Sequence, residues 1–247
     1  MTNGVRPLAM RPQHKAVIWD MDGVIANTAP YHFRAWRELF RRRGARYTED
    51  DFRRNFGKRN DAIIRNVLGS QVPSREMEAI AAEKEELFRR RAGSRIKPLA
   101  GAIGLIRALG EHGFAQAIGS SAPLENIELV TRKLGIADLF RVIVSGREVA
   151  EGKPSPQVFL LAAQRLGAKP QDCVVIEDAV AGVSAAKRAG MSCIAVTNTS
   201  PKTELTGADL IFDTLEGLTV AKLGASLRAS RYKILKRSLD LSLWKGR

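Results

Sequence analysis

The chain has 247 residues, 45% hydrophobic and 27% charged, which excludes a disordered chain and fits one large α/β domain or a domain with a smaller companion. No run approaches the ~18–20 apolar residues of a membrane span. Residues 1–12 lack the apolar core of an export signal, and Cys173 and Cys193 each lie inside an apolar run, so a disulfide framework is excluded and a reducing, cytoplasmic location is expected. The formal net charge of +14 is uneven: residues 28–98 carry +8, residues 221–247 carry +7 and the remainder −1. That distribution fits a nucleic-acid or membrane binder, and equally an enzyme for anionic substrates with basic accessory segments.

In chain order, the apolar run at 15–20 reads as a strand. The stretch 28–98 then reads as helices throughout, at 30–43, 49–56, 59–68 and 74–92, with turn signals at Gly44, Gly57 and Gly69-Ser70. From residue 99 the pattern changes. Helical spacing at 101–112, 124–135, 155–167 and 179–189 alternates with short runs rich in Val, Ile or Ala at 114–119, 141–145, 173–176 and 193–197. Buried strands alternating with amphipathic helices predict βαβ units and a parallel sheet covered on both faces. The expected fold is α/β: a Rossmann-like core over 1–27 and 99–224, and a helical cap inserted over 28–98 with hinges near 26–30 and 96–101. Residues 225–247 form a basic amphipathic tail. There Leu235, Leu239 and Leu243 stand among Arg228, Arg231, Lys233, Lys236 and Arg237. The tail either packs its leucines on the core or contacts an anionic membrane surface or a partner protein.

Parallel sheets place ligands at the C-terminal ends of their strands. The predicted strands end there in Asp20 and Asp22, in Ser120-Ser121 and in Glu177-Asp178, and Lys153 follows the strand at 141–145. Each has a plain alternative, as helix cap, polar strand end or loop charge; their arrival at one edge is the signal. Crowded carboxylates repel unless protonated or metallated, and hard oxygen ligands that meet phosphate favour Mg²⁺. With the field cancelled, Asp20 can attack phosphorus and form an aspartyl-phosphate. Asp22 is placed to act as general acid and then general base. Lys153 and Ser120 would hold the nonreacting phosphoryl oxygens, and Gly23 allows the sharp turn after the nucleophile.

The run Asp20-Met21-Asp22-Gly23-Val24-Ile25-Ala26-Asn27-Thr28 resembles the first motif of the haloacid dehalogenase superfamily. Ser120 is similar to its second motif, Gly152-Lys153-Pro154-Ser155-Pro156 to its third, and Val174-Val175-Ile176-Glu177-Asp178-Ala179-Val180-Ala181-Gly182 to its fourth. The resemblance spans 15–215. It implies a Rossmann-like core with an inserted cap, a nucleophilic Asp20, an acid/base Asp22, and Mg²⁺ held by Asp20, Asp22 through its carbonyl, Glu177 and Asp178. An aspartate at position 22 resembles the phosphatase and phosphomutase branches rather than the dehalogenases.

The cap start Ala29-Pro30-Tyr31-His32-Phe33-Arg34-Ala35-Trp36, Arg59 and Lys84 are similar to the β-phosphoglucomutase and sugar-phosphatase branch. The resemblance implies that His32, Arg59 and Lys84 gate the nucleophile or bind substrate, with Ser121 beside them. After Ser120 the mutase pattern continues Ala-Ser-Lys-Asn, whereas this chain has Ser121-Ala122-Pro123-Leu124, and Gln157 replaces the usual Asp after Lys-Pro-x-Pro. The missing lysine and asparagine favour hydrolysis of a small phosphorylated metabolite, a sugar phosphate, over mutase chemistry, which stays the alternative. A nucleic-acid or membrane binder using the basic cap and tail is the reading from another class; no nucleic-acid partner is expected, and oligomeric state is not legible.

Overall fold

The computed structural model describes residues 16–225. Six parallel strands form one sheet: β1 (Ala16–Trp19), β2 (Ala115–Gly119), β3 (Val142–Val144), β4 (Cys173–Glu177), β5 (Ser192–Val196) and β6 (Leu210–Phe212), in the spatial order β3-β2-β1-β4-β5-β6. β1 is central, with Ala16 in register with Ala115 on one side and Cys173 on the other. All four β1 residues are buried, the reason the strand reads as an unbroken apolar run instead of an alternating one.

The period of two still sorts its side chains. Val17 and Trp19 join Val174 and Ile176 in one core layer, and Ala16 and Ile18 join Cys173 and Val175 in the other. Helices α5 (Ala102–Glu111) and α6 (Leu124–Leu134) cover the first face; α7 (Gln157–Leu166) and α8 (Val180–Arg188) cover the second. The sheet is Rossmann-like, and its strand order reverses between β1 and β4. That switch point is where an open parallel sheet leaves a crevice at its carboxyl edge.

Between β1 and α5 the described chain makes four α-helices: α1 (Ala29–Arg42), α2 (Glu49–Asn55), α3 (Asn60–Leu68) and α4 (Ser74–Ala92). Helix α1 buries Ala35, Trp36, Leu39 and Phe40, and α4 buries Ile80, Leu87 and Phe88 into the same cluster. Thr48 and Asp51 close a capping box at the start of α2. The two crossings into and out of this insertion run side by side, joined by Asn27 N–H to Lys97 O (3.0 Å) and Leu99 N–H to Ile25 O (3.0 Å).

The short edge strand β6 has no counterpart among the expected elements. It has three residues, with Leu210 exposed and its neighbours half-buried, so it leaves no buried apolar run to read. The expected basic tail helix over 226–247, with Leu235, Leu239 and Leu243, lies outside the described residues. Among the described residues, no helix is long and apolar enough to cross a membrane.

Candidate active site at the strand switch point

Asp20 follows β1 and Glu177 closes β4, so neighbouring strands deliver both carboxylates to the crevice, with Asp178 next in line. All three are buried, and each offers an oxygen within 4.8 Å of the others. Lys153, on the loop before α7, donates to Oδ1 of Asp20 and, at 2.7 Å, to Oε1 of Glu177. The other Glu177 oxygen accepts the backbone N–H groups of Asp178 (2.8 Å) and Ala179 (2.9 Å). Both carboxylate oxygens of Asp178 lack a hydrogen-bond partner among the described residues.

The electrostatics follow from burial. Desolvation, with the charges of Glu177 and Asp22, pushes the Asp20 carboxyl up to about 8 against the pull of Lys153. Burial and the charges of Glu177 and Asp20 likewise raise Asp178 well above the usual carboxylate range. For Lys153, burial works against the ammonium but the two carboxylates outweigh it, so its pKa is raised. The cluster is one cation short of balance. Hard, buried oxygens, two of them unpartnered, are the donor set that a divalent cation such as Mg²⁺ takes. Two glycines keep the space open: a Cβ at Gly23 would meet Oδ2 of Asp178 at 1.9 Å, and one at Gly182 would meet Oε1 of Glu177 at 1.6 Å.

Asp22 faces the other way, toward the helical insertion. Its Oδ1 accepts from Thr28 Oγ1 at 2.6 Å and lies 3.2 Å from Nε2 of His32. Nδ1 of His32 lies 2.8 Å from Nζ of Lys84. An ammonium can only donate, so Nδ1 accepts and a neutral His32 carries its proton on Nε2, aimed at Asp22. Burial would raise the Asp22 carboxyl, but His32, Thr28 and Lys84 hold it below the usual range. His32 is itself stacked on Phe88, with ring centroids 3.8 Å apart.

A family model for haloacid dehalogenase-like hydrolases matches residues 14–190. The chain belongs to that family. It is 36% identical over 218 residues to the β-phosphoglucomutase of Bacillus subtilis, covering 83% of this chain and 92% of that protein. It is 32% identical over 188 residues to a fructose-1-phosphate phosphatase of Escherichia coli, covering 76% and 98%. The crystal structure of a β-phosphoglucomutase from Clostridium difficile superposes with a TM-score of 0.81 at 27% identity, over 90% of this chain and 99% of that one.

In this family member, Asp20, Asp22, His32, Lys84, Ser120 and Ser121 border one small space of about 50 Å³. Ser120 is buried, its Oγ accepting from the Ala122 N–H at 3.1 Å. Ser121 donates to Gly57 O of the insertion at 2.7 Å, joining it to the core. Arg59 immediately precedes α3. Its Nη1 donates to Val149 O (2.8 Å) and Ala150 O (3.1 Å) of the core. It lines an adjoining groove of about 560 Å³ that shares Asn60 and Ser121 with that small space. Sequence reasoning assigned no role to Thr28, although it closes the first motif. It also missed Glu85, Asn60 and Asn126, which stand in helical patterns that carry no local signal of a buried polar role.

Proposed function

We propose that this chain is a Mg²⁺-dependent cytoplasmic phosphatase of a small phosphorylated metabolite, a sugar phosphate, working through an aspartyl-phosphate on Asp20. The observation that carries the reading is the buried Asp20 paired with Lys153 beside an Asp178 whose carboxylate oxygens have no hydrogen-bond partner among the described residues. Asp20, Glu177, Asp178 and the Asp22 carbonyl would hold the cation. When bound it supplies positive charge that keeps Asp20 ionised and polarises the phosphoryl group.

In the first half-reaction a carboxylate oxygen of Asp20 bonds to phosphorus as the ester P–O bond breaks, and Asp22 gives its proton to the departing alkoxide. The negative charge of the arriving phosphate favours the protonated form of Asp22 that this step needs. In the second, Asp22 takes a proton from water, whose oxygen attacks phosphorus and frees Asp20. Ser120 and Lys153 hold the remaining phosphoryl oxygens throughout. A space of about 50 Å³ is too small for substrate, since small-molecule sites run to roughly 300–1,000 Å³. The helical insertion therefore acts as a cap that opens to admit the ester and closes to exclude water.

Relatives named as a fructose-1-phosphate phosphatase and a hexitol phosphatase support the sugar-phosphate class. The similarity to β-phosphoglucomutases supports the mutase as the second reading. Against it, Pro123 and Leu124 open α6 where the mutase pattern has Lys-Asn, and Leu124 is exposed with no polar group to hold a bisphosphate. A panel of phosphorylated sugars with Mg²⁺, scored for phosphate release and for conversion of β-glucose 1-phosphate to glucose 6-phosphate, tests both. Release is expected to dominate; isomerisation with negligible release would reverse the order. The basic cap further predicts that kcat/KM falls as salt rises.

A further inference from the structure

A buried polar chain joins the core to the insertion, and its Lys84, Glu85 and Asn60 border the same space as Asp20 and Asp22. Asn126, on α6 of the core and fully buried, donates through Nδ2 to Oε2 of Glu85 on α4 at 2.6 Å. Its Oδ1 accepts from Nη1 of Arg89, also on α4, at 3.0 Å. Glu85 is buried too, and its other oxygen accepts from Asn60 of α3 (2.7 Å) and from Lys84 Nζ (2.9 Å). Lys84 is the group that sets the His32 tautomer, and His32 reaches Asp22. Every link from Glu85 to His32 lies within the insertion. Asn126 is the core's contribution, and it supplies the donor that Oε2 of Glu85 has among the described residues.

We infer that Asn126 is a positioning residue that makes the acid/base function of Asp22 conditional on cap closure. The inference rests on the phosphatase reading for the role of Asp22 and for the opening and closing of the cap. A buried carboxylate must be met by donors. With Asn126 engaged, Glu85 is satisfied on both oxygens and fixes Lys84, so Nε2–H of His32 stays aimed at Asp22. When the cap swings away, Oε2 of Glu85 exchanges the fixed Asn126 donor for mobile water, Glu85 no longer holds Lys84 in one place, and the hydrogen bond that defines the tautomer loosens. Water then meets an Asp22 without its aligned partner, and the acid/base is assembled only in the closed state.

The pair can be inverted without losing a hydrogen bond. In the double variant Glu85→Gln/Asn126→Asp, Nε2 of residue 85 donates to the new carboxylate, Oε1 still accepts from Asn60 and Lys84, and the second carboxylate oxygen accepts from Arg89. Formal charge is conserved. Full-length proteins with Mg²⁺ are assayed on p-nitrophenyl phosphate, which has no sugar to bind. Asn126→Ala is expected to lower kcat by about 10- to 100-fold with KM changed by less than about 3-fold, the pattern of a lost acid/base contribution. Asn126→Asp, which sets two carboxylates face to face, is expected to do the same, and the double variant to recover kcat to within about 5-fold of the parent.

Hydrogen exchange at the Asn27 and Leu99 amides, which tie the two linker crossings together, gives a readout independent of activity. It should quicken by about 10-fold in Asn126→Ala and return to the parent rate in the double variant. An unchanged kcat and exchange rate in Asn126→Ala, or a double variant no better than the single ones, overturns the inference. Absence of turnover in the parent protein would instead overturn the phosphatase reading, and the exchange measurement would still decide the latch.

Discussion

Nε2 of His32 lies 3.2 Å from Oδ1 of Asp22, on the oxygen that the Thr28 hydroxyl also reaches at 2.6 Å. An imidazole that donates a hydrogen bond to a carboxylate holds that carboxylate ionised and oriented. Replacing His32 with Ala leaves Lys84 without an acceptor at Nδ1 and Asp22 free to rotate. The expected result is a kcat lower by about 10- to 100-fold with a folded protein, since only the acid/base contribution is impaired. Thr28→Val should weaken the same carboxylate less, and steady-state kinetics of the two variants will rank them.

Lys153 is buried between two carboxylates. Lys153→Met removes the charge and keeps the volume, leaving Asp20 and Glu177 to repel each other. Breaking a buried pair from one side costs about 3–5 kcal/mol, so chemical denaturation of the metal-free protein should show a loss of that order. Added Mg²⁺ should restore part of it, because the cation supplies the missing positive charge. A loss that Mg²⁺ leaves untouched would mean that the cluster is not where the cation binds.

Gly23 has φ +86°, and a Cβ there would strike Asp178. Gly23→Ala therefore combines a left-handed backbone, about 1–2 kcal/mol for an L-residue, with displacement of a proposed metal ligand. Titration calorimetry should show weakened Mg²⁺ binding in Gly23→Ala and in Asp178→Asn, with circular dichroism unchanged. Chelation by EDTA should abolish phosphate release from the parent, and Mg²⁺ should restore it.

Glu85 supplies a pH dependence. Burial favours its neutral form, but Lys84 and His32, with the hydrogen bonds from Lys84 and Asn60, hold the carboxyl down at about 2 against an ordinary 4.5. A carboxyl whose folded pKa is depressed contributes stability that is complete above the unfolded value and is lost as pH falls through the folded one. At about 1.4 kcal/mol per unit the contribution is about 3 kcal/mol. The gap in unfolding free energy between the parent and Glu85→Gln should be widest above pH 5 and shrink steadily toward pH 3. A gap that stays constant across that range would show that the Glu85 charge is not what stabilises the site.

The parallel sheet was legible because its central strands are buried on both faces and so run apolar without interruption. Asp20, Ser120 and Glu177 could be placed at one edge because a strand of known direction brings its last residue there, whatever the chain does between strands. Asp178 followed from its place directly after β4, and Lys153 from the loop that leads out of β3. The four helices between β1 and α5 were legible from their helical spacing, and β6 was not, since a three-residue edge strand half in solvent leaves no such imprint.

What the sequence determined by itself was this alternation and the set of charged groups it carries to the switch point between β1 and β4. Arg59 shows where that reasoning stops. Its guanidinium donates to the Val149 and Ala150 carbonyls, a contact set by which loop packs against the start of α3 and not legible in the local sequence. Glu85 and Asn126 lie forty-one positions apart on helices of different layers. Nothing in either local pattern marks them, because burial and pairing belong to the contact between two elements and exist only once the insertion has docked on the sheet. Tertiary structure alone decided which polar side chains are sealed from water, and hence which must satisfy one another.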